Sequence, residues 1–309
     1  MDFKYRINMS TLVTGGAGFI GSNLVEELLA AGEEVVVLDN MHTGSPSNLE
    51  GMKGDLKVIR ASCNQLPEMD LHPEKIYHLG IPSSSPMYKK NPYLVGEALN
   101  GFTAVFELAR MSGARVVYAS SSSLYNGLLP PHHEDMPIQV ADYYTEARLA
   151  MERMAELYKM LFGVNSAGMR FFSVYGPREE AKKQYANMVT QFMWEMRDGK
   201  IPLIFGDGSQ TRDFTYVKDI VRALQLAMKS DYHGILNAGT GKAYNFNDVI
   251  EILNEIMGFA VKPQHVENPI KNYVQHTLSD TAKAEKVLGF KAKYSLEEGV
   301  KELIQHYTR

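Results

Sequence analysis

The side chains best suited to chemistry in this chain are the serine run Ser120-Ser121-Ser122-Ser123 and the pair Tyr144 and Arg148 in Tyr144-Thr145-Glu146-Ala147-Arg148. Spaced at i and i+4, a tyrosine and an arginine share one face of a helix. A phenol beside a fixed positive charge can ionise and take the proton of an alcohol, while a serine hydroxyl hydrogen-bonds the same oxygen. That is the acid-base unit for an alcohol presented to a nicotinamide ring. Taken singly, a serine run reads as loop and a Tyr/Arg pair as a solvated helix face, so the weight of the argument falls on what precedes them. Thr14-Gly15-Gly16-Ala17-Gly18-Phe19-Ile20-Gly21 lies between the apolar Leu12-Val13 and a helical period of Leu24, Val25, Leu28 and Leu29. Strand, glycine turn and helix in that order cradle a pyrophosphate on the positive end of the helix. The run Glu34 to Leu38 then ends in Asp39, placed to take adenosine ribose hydroxyls and to repel a 2′-phosphate, which favours NAD over NADP.

The elements that must position these groups follow from apolar periodicity. Strands are predicted at Leu12-Val13, Val35 to Leu38, Lys57-Val58-Ile59, Ile76 to Leu79, Arg115 to Ala119 and Val164 to Phe172, with helical periods between several of them, notably Leu94 to Met111 and Tyr144 to Leu161. Such alternation specifies an α/β fold, a doubly wound and mostly parallel sheet of seven strands whose ligands collect at the carboxyl ends of the strands. The pattern changes after Gly176-Pro177. A helix from Asn187 to Asp198, an apolar run from Ile201 to Phe205, a glycine turn at Gly206-Asp207-Gly208 and helices over Lys218 to Met228, Asn247 to Met257 and Leu296 to Tyr307 make a smaller α/β unit. The expected division is a dinucleotide-binding domain over residues 1–176, with 213–240 returning to it, and a smaller interleaved substrate domain over 177–309.

Bulk composition sets limits. At 309 residues the chain can bury a large core, and a net charge of −4 gives no reason to expect a nucleic-acid or membrane-surface partner. The single cysteine, Cys63, excludes an internal disulfide and fits a reducing, cytoplasmic setting. No apolar run is long enough for a membrane span. Residues Met1 to Asn8 are too short and polar for a signal peptide, and Met9 is an alternative start. His132, His133, His265 and His276 show no metal-ligand spacing, and no metal is expected.

In these motifs the chain resembles the extended short-chain dehydrogenases/reductases, and within them the UDP-glucose 4-epimerase group. The carrying residues are Thr14 to Gly21, Asp39-Asn40 with Thr43-Gly44, His78-Leu79, Asn100-Gly101, Ser120 to Tyr125, Tyr144 with Glu152, Arg170 to Arg178, and Gly206-Asp207-Gly208 through Arg212-Asp213-Phe214 to Asp219. The resemblance implies a Rossmann domain holding NAD through Gly15, Gly18, Phe19, Ile20, Gly21, Asp39, Asn40, Thr43, Gly44, Leu79, Asn100, Ser120, Tyr144 and Arg148. It implies Ser121 as the catalytic hydroxyl and Tyr144 as the base. It also implies a nucleotide-sugar site drawing on Ser121, Ser123, Tyr144, Ser173, Arg178, Arg212 and Lys271, and a homodimer in which helices Leu94 to Met111 and Tyr144 to Leu161 pair with their symmetry mates. Met151, Met154, Leu157 and Met160 form an apolar stripe for that interface, or else for packing on the parent sheet.

Four positions depart from the pattern. The family lysine is Arg148, an aspartate after the third strand is Ser62, an asparagine before Val174-Tyr175-Gly176 is Ser173, and an arginine of the late loop falls at Ile270 beside Lys271. Dehydratases of the group carry an Asp-Glu pair after the catalytic hydroxyl and decarboxylases a glutamate. Here those positions are Ser122 and Ser123. The minimal Ser/Tyr/cation set suffices for reversible oxidation at C4, and the expected activity is epimerisation of a nucleotide sugar, most simply UDP-glucose and UDP-galactose. A net oxidoreductase, an epimerase acting at another carbon, and a weak or silent NAD-binding relative stay open, the last because of Arg148.

Overall fold

The computed structural model describes residues 7–269 and 273–308. Thirteen strands and nine helices are defined within them. Seven strands form one sheet: β1 (Ile7–Thr14), β2 (Val35–Asp39), β3 (Leu56–Arg60), β4 (Leu71–His78), β5 (Arg115–Ser121), β6 (Ser166–Phe171) and β11 (Gly234–Ala238). Their order is β11-β6-β5-β4-β1-β2-β3, and every neighbouring pair is parallel. The remaining strands make three short pairs: β7 (Val174–Tyr175) with β10 (Thr215–Tyr216), β8 (Leu203–Phe205) with β13 (Gln264–Val266), and β9 (Thr211–Arg212) with β12 (Tyr244–Asn245).

A parallel sheet covered on both faces needs apolar residues at every strand position, and β2 shows the consequence. Val35 and Val37 join one buried cluster, with Val13, Leu24, Leu28 and Val117, while Val36 and Leu38 join the other, with Leu12, Ile76, Phe102, Val116 and Tyr118. Helix α1 (Phe19–Ala30) covers the first face with α6 (Val217–Lys229). Helices α3 (Leu94–Ser112) and α4 (Tyr143–Phe162) cover the second, which also carries the short α2 (Ser85–Lys90). Helices α5 (Met188–Arg197), α7 (Phe246–Met257), α8 (Ala282–Leu288) and α9 (Leu296–Thr308) pack around the short strand pairs and against the first face.

Strand order reverses between β1 and β4, and the loops leaving these two strands diverge there. Gly15 N–H bonds the Leu38 carbonyl at 2.8 Å and Leu79 N–H bonds that of Thr14 at 3.0 Å. A crevice opens at this switch point. Helix α4 is started by a reciprocal cap, Asp142 taking the Thr145 N–H while Thr145 Oγ1 takes the Asp142 N–H, and it stops at Gly163 in the left-handed region. Its buried residues Tyr144, Arg148, Met151, Glu152 and Ala155 recur at helical spacing. The stripe Met151, Met154, Leu157, Met160 does not stay on that face. A three-residue step falls short of a turn, so it winds from fully buried Met151 through half-buried Met154 to Leu157 and Met160, 48% and 72% exposed. No helix among the described residues is long and apolar enough to cross a membrane.

Candidate active site

One cavity of about 370 Å³ occupies the switch-point crevice. Its lining brings together Gly15, Gly18, Phe19, Ile20, Gly21, Asp39, Asn40, Thr43, Gly44, Leu79, Ser120, Ser121, Ser123, Tyr144, Arg148 and Ser173, residues scattered over much of the sequence.

The floor is the glycine loop. Gly15 has φ +69, and a Cβ there would lie 2.6 Å from the Gly80 backbone; a Cβ on Gly21 would drive into the Gly15 carbonyl oxygen. Only hydrogen atoms fit, which is what allows a diphosphate to approach the backbone and helix α1 to pack against its strand. Asp39, buried at the end of β2, accepts the Ala17 N–H at 2.9 Å and the Met41 N–H at 2.8 Å, bracing the loop against the strand. Burial outweighs these bonds and raises its pKa above the ordinary carboxylate value. Each carboxylate oxygen keeps a lone pair for a ribose hydroxyl. An NAD molecule fits this donor set: backbone N–H groups for the diphosphate, Asp39 for the ribose, and Ser62, Cys63 and Gly101 on the wall beyond. Burial pushes the Cys63 thiol up to about 12 and leaves it inert as a nucleophile.

At the other end stand the serines and the phenol. Ser121 Oγ accepts the Ser123 N–H at 3.1 Å, which leaves its own proton to donate. Tyr144 is held edge-on by Tyr88, with ring centroids 5.5 Å apart, and the Arg148 guanidinium lies 4.9 Å from the Tyr144 ring centroid. Arg148 is 4% exposed. It donates to the carbonyls of Ala119 at 3.2 Å and Pro82 at 3.0 Å, and its Nε has no partner among the described residues. The arginine in the family lysine's place thus ties the loop after β4 to α4, and Ser85 donating to Asp142 ties it a second time. Next to it, His78 shares a proton with Thr14 Oγ1 at 2.8 Å; burial, aided by the Arg148 charge, lowers its pKa to about 3 and keeps it neutral.

Behind the serines lies a buried ionic network. Ser120 Oγ donates to Glu152 at 2.6 Å, and Arg170 grips the same carboxylate with two nitrogens at 3.0 and 2.7 Å. Arg170 also donates to Tyr125 Oη at 2.8 Å, and Tyr125 donates to Asn237 Oδ1 at 2.7 Å. Strand β5, helix α4, strand β6 and the edge strand β11 are thereby locked around the serine loop, with every link buried and satisfied.

Three expected site residues lie off the cavity wall. Asn100 is exposed on α3, because successive helical residues turn by about 100° and it is Ala98 and Gly101 that face inward. Arg178 is engaged by α1, donating to Glu26 at 2.9 Å and to the Ser22 carbonyl at 3.3 Å. Arg212 donates to the carbonyls of Thr211, Gln275 and Val274 and stacks between Phe246 and Tyr273. Its neighbours Asp213 and Asp219 are its partners in no ion pair: Asp213 is buried under the N–H and hydroxyl groups of Thr240 and Ser279 and the Gly241 N–H, and Asp219 caps Lys293 and Tyr294. Lys271 lies outside the described residues. Ser173 lines the cavity at φ +26, a strained backbone for which the expected asparagine is better suited. Lys182, which no motif singled out, does face the cavity.

Known proteins share this fold. A putative UDP-glucose 4-epimerase of Methanocaldococcus jannaschii is 32% identical over 303 residues, 95% of this chain and 96% of that protein. UDP-glucuronic acid decarboxylase 1 of Arabidopsis thaliana is 31% identical over 98% of this chain and 70% of that one. The crystal structure of UDP-glucose 4-epimerase from Thermotoga maritima with UDP-glucose superimposes with a TM-score of 0.91 at 30% identity, covering 98% of this chain and 99% of the other. The family model described as the NAD dependent epimerase/dehydratase family matches residues 11–239. With its glycine cradle, its Ser/Tyr/Arg set at the switch point and that match, the chain belongs to the NAD-dependent epimerase/dehydratase family, nucleotide-sugar enzymes that use NAD.

Proposed function

We propose that the protein is a nucleotide-sugar 4-epimerase, interconverting UDP-glucose and UDP-galactose. The observation that carries this reading is the serine loop: Ser121, Tyr144 and Arg148 line one cavity, and Ser122 and Ser123 stand where the group's dehydratases and decarboxylases place carboxylates. NAD, held by the Gly15 to Gly21 loop and Asp39, would supply a reversible hydride acceptor for the sugar carbon. Tyr144 Oη takes the hydroxyl proton as the carbonyl forms and gives it back on reduction, Ser121 donates to the same oxygen, and the Arg148 guanidinium, 4.9 Å from the Tyr144 ring centroid, holds the phenol in place. Arg212 and Lys271 are candidate contacts for the sugar nucleotide's diphosphate, Arg212 beside residues 274 and 275, whose carbonyls it holds, while Arg178, bonded to α1, supports the site from behind.

The test is chromatographic separation of products from UDP-galactose, UDP-glucose and UDP-glucuronate, with wild type, Tyr144→Phe and Arg148→Lys. Interconversion of the first two that falls by about a thousandfold or more in Tyr144→Phe supports the reading, and retained turnover in Arg148→Lys confirms a charge role. Release of carbon dioxide from UDP-glucuronate, the second reading favoured by the decarboxylase relatives, would overturn it. A cytoplasmic homodimer belongs to the same proposal. Cys63 is free, and Met111, Leu157, Met160, Leu161 and Phe162 leave an apolar surface at the ends of α3 and α4, which sedimentation at micromolar concentration would show to be paired or bare.

A further inference from the structure

We propose that Lys182 is the cation that grips the diphosphate of NAD from the far wall of the cleft, and that Asn23, Arg178 and Glu179 put it there. The glycine loop offers a diphosphate backbone N–H groups and a helix end but no cationic side chain, since Thr14 to Gly21 contains neither lysine nor arginine. Among the described residues, the lysines and arginines lining the cavity are Arg148 and Lys182, and Arg148 is committed to two carbonyls. Lys182 sits in the 3₁₀ segment Glu180–Tyr185, outside the large sheet. Its Nζ is 5.1 Å from the ring centroid of Phe19, the first residue of α1, so the ammonium stands beside the helix end to which this fold brings the diphosphate.

The position is constructed in two ways. Glu179, fully buried, holds Lys182 Nζ at 3.1 Å, and its carboxylate is fixed independently by Thr190 Oγ1 at 2.5 Å and the Asn187 N–H at 2.9 Å. An ammonium has three donors, so two remain for phosphate oxygens. The segment before Lys182 is pinned to the same helix: Asn23 Nδ2 donates to the Pro177 carbonyl at 3.1 Å, and Arg178 reaches the Ser22 carbonyl and Glu26. Arg178 does this at φ +74, a backbone conformation that needs such contacts to persist. Arg178 is therefore a positioning residue here, the strap that delivers its neighbour. This inference rests on NAD binding by the family and not on the sugar or carbon acted upon, so it stands or falls separately from the 4-epimerase reading.

The experiment is calorimetric titration of nucleotide-stripped protein with NAD, ADP-ribose, adenosine and UDP-glucose at low and high salt, for wild type, Lys182→Gln, Lys182→Arg and Arg178→Ala. Lys182→Gln is expected to weaken NAD and ADP-ribose about tenfold, with a smaller salt dependence than wild type and unchanged adenosine affinity. Lys182→Arg should restore most of the loss, and Arg178→Ala, which leaves Glu179 paired, should weaken NAD severalfold. Unchanged NAD and ADP-ribose affinity in both Lys182→Gln and Arg178→Ala would overturn the proposal and leave Lys182 as the counter-charge of Glu179. A loss shared equally by adenosine, or confined to UDP-glucose, would overturn it as well.

Discussion

On the cofactor side of the cavity the wall is mostly main chain, held by backbone bonds from Gly15 to Leu38 and from Leu79 to Thr14 and by one carboxylate, Asp39, which takes the Ala17 and Met41 N–H groups. On the side expected to take the sugar nucleotide, a cationic side chain is spent on carbonyls of the protein, Arg212 on Thr211 and on the remote Val274 and Gln275. A site made of main chain tolerates no added atom but is insensitive to most side-chain exchanges. A site made of braced side chains can be tuned residue by residue. The first arrangement suits a group common to a whole family, and the second suits a specificity that differs among its members.

The sharpest way to break this contrast is Gly21→Ala. Its methyl would meet the Gly15 carbonyl and Gly16, backbone atoms that cannot swing aside. NAD binding measured by calorimetry should be abolished, and binding at wild-type affinity would show the loop to be softer than drawn. A smaller effect on the same side concerns His78. Its folded pKa of about 3 lies below the ordinary value, so the unfolded chain takes up a proton first as pH falls. The stability this contributes is nearly complete above about pH 6.5 and is lost on acidification toward pH 3, amounting to about 2 kcal/mol between pH 6.5 and 4.5. Urea unfolding across that window should show a shallower acid loss for His78→Asn than for wild type, and equal slopes would remove His78 from the account. The smallest effect belongs to the side expected to take the sugar nucleotide. Arg212→Ala should raise KM for the sugar nucleotide about tenfold, about 1.4 kcal/mol, with kcat and NAD affinity kept. A fall in NAD affinity instead would erase the distinction between the two halves.

The same contrast decides what could be read from the chain. The glycine loop, the buried β2 with Asp39 and the Tyr144/Arg148 face of α4 depend on neighbours within a few residues, and local spacing carries them. The resemblance places Arg178 and Arg212 at the nucleotide-sugar site, but their observed partners, α1 and the 274–275 carbonyls, are far away in sequence and invisible to spacing. Asn100 shows a smaller failure of the same kind. The Asn-Gly pair was legible, but which of its neighbours faced inward depended on the phase of α3, which turns Ala98 and Gly101 to the cavity. Lys182 gave no signal at all, since it lies in an irregular 3₁₀ segment broken at Lys183, and only its contacts with Glu179 and Phe19 mark it. Ser120, Glu152 and Arg170 all stand in the motifs that carry the resemblance, but their joining into one buried network rests on contacts between β5, α4 and β6 that spacing does not show.

The pairing of β11 with β6, in which Gly234 to Ala238 lie beside Ala167 to Phe171, also bears on how the chain comes into being. As residues emerge from a ribosome in order, six strands of the sheet exist before the seventh, and the outer edge of β6 stays open while the segment leading to residue 234 is made. An open parallel edge is a template for the wrong partner. For that interval Tyr125 also lacks Asn237, and its hydroxyl, with Arg170 behind it, has no amide to close the network. The large sheet is finished only by a strand that follows α5, α6 and four of the short strands along the chain, so it cannot close before they are made. The nascent chain is exposed longest at the strand next to its own serine loop.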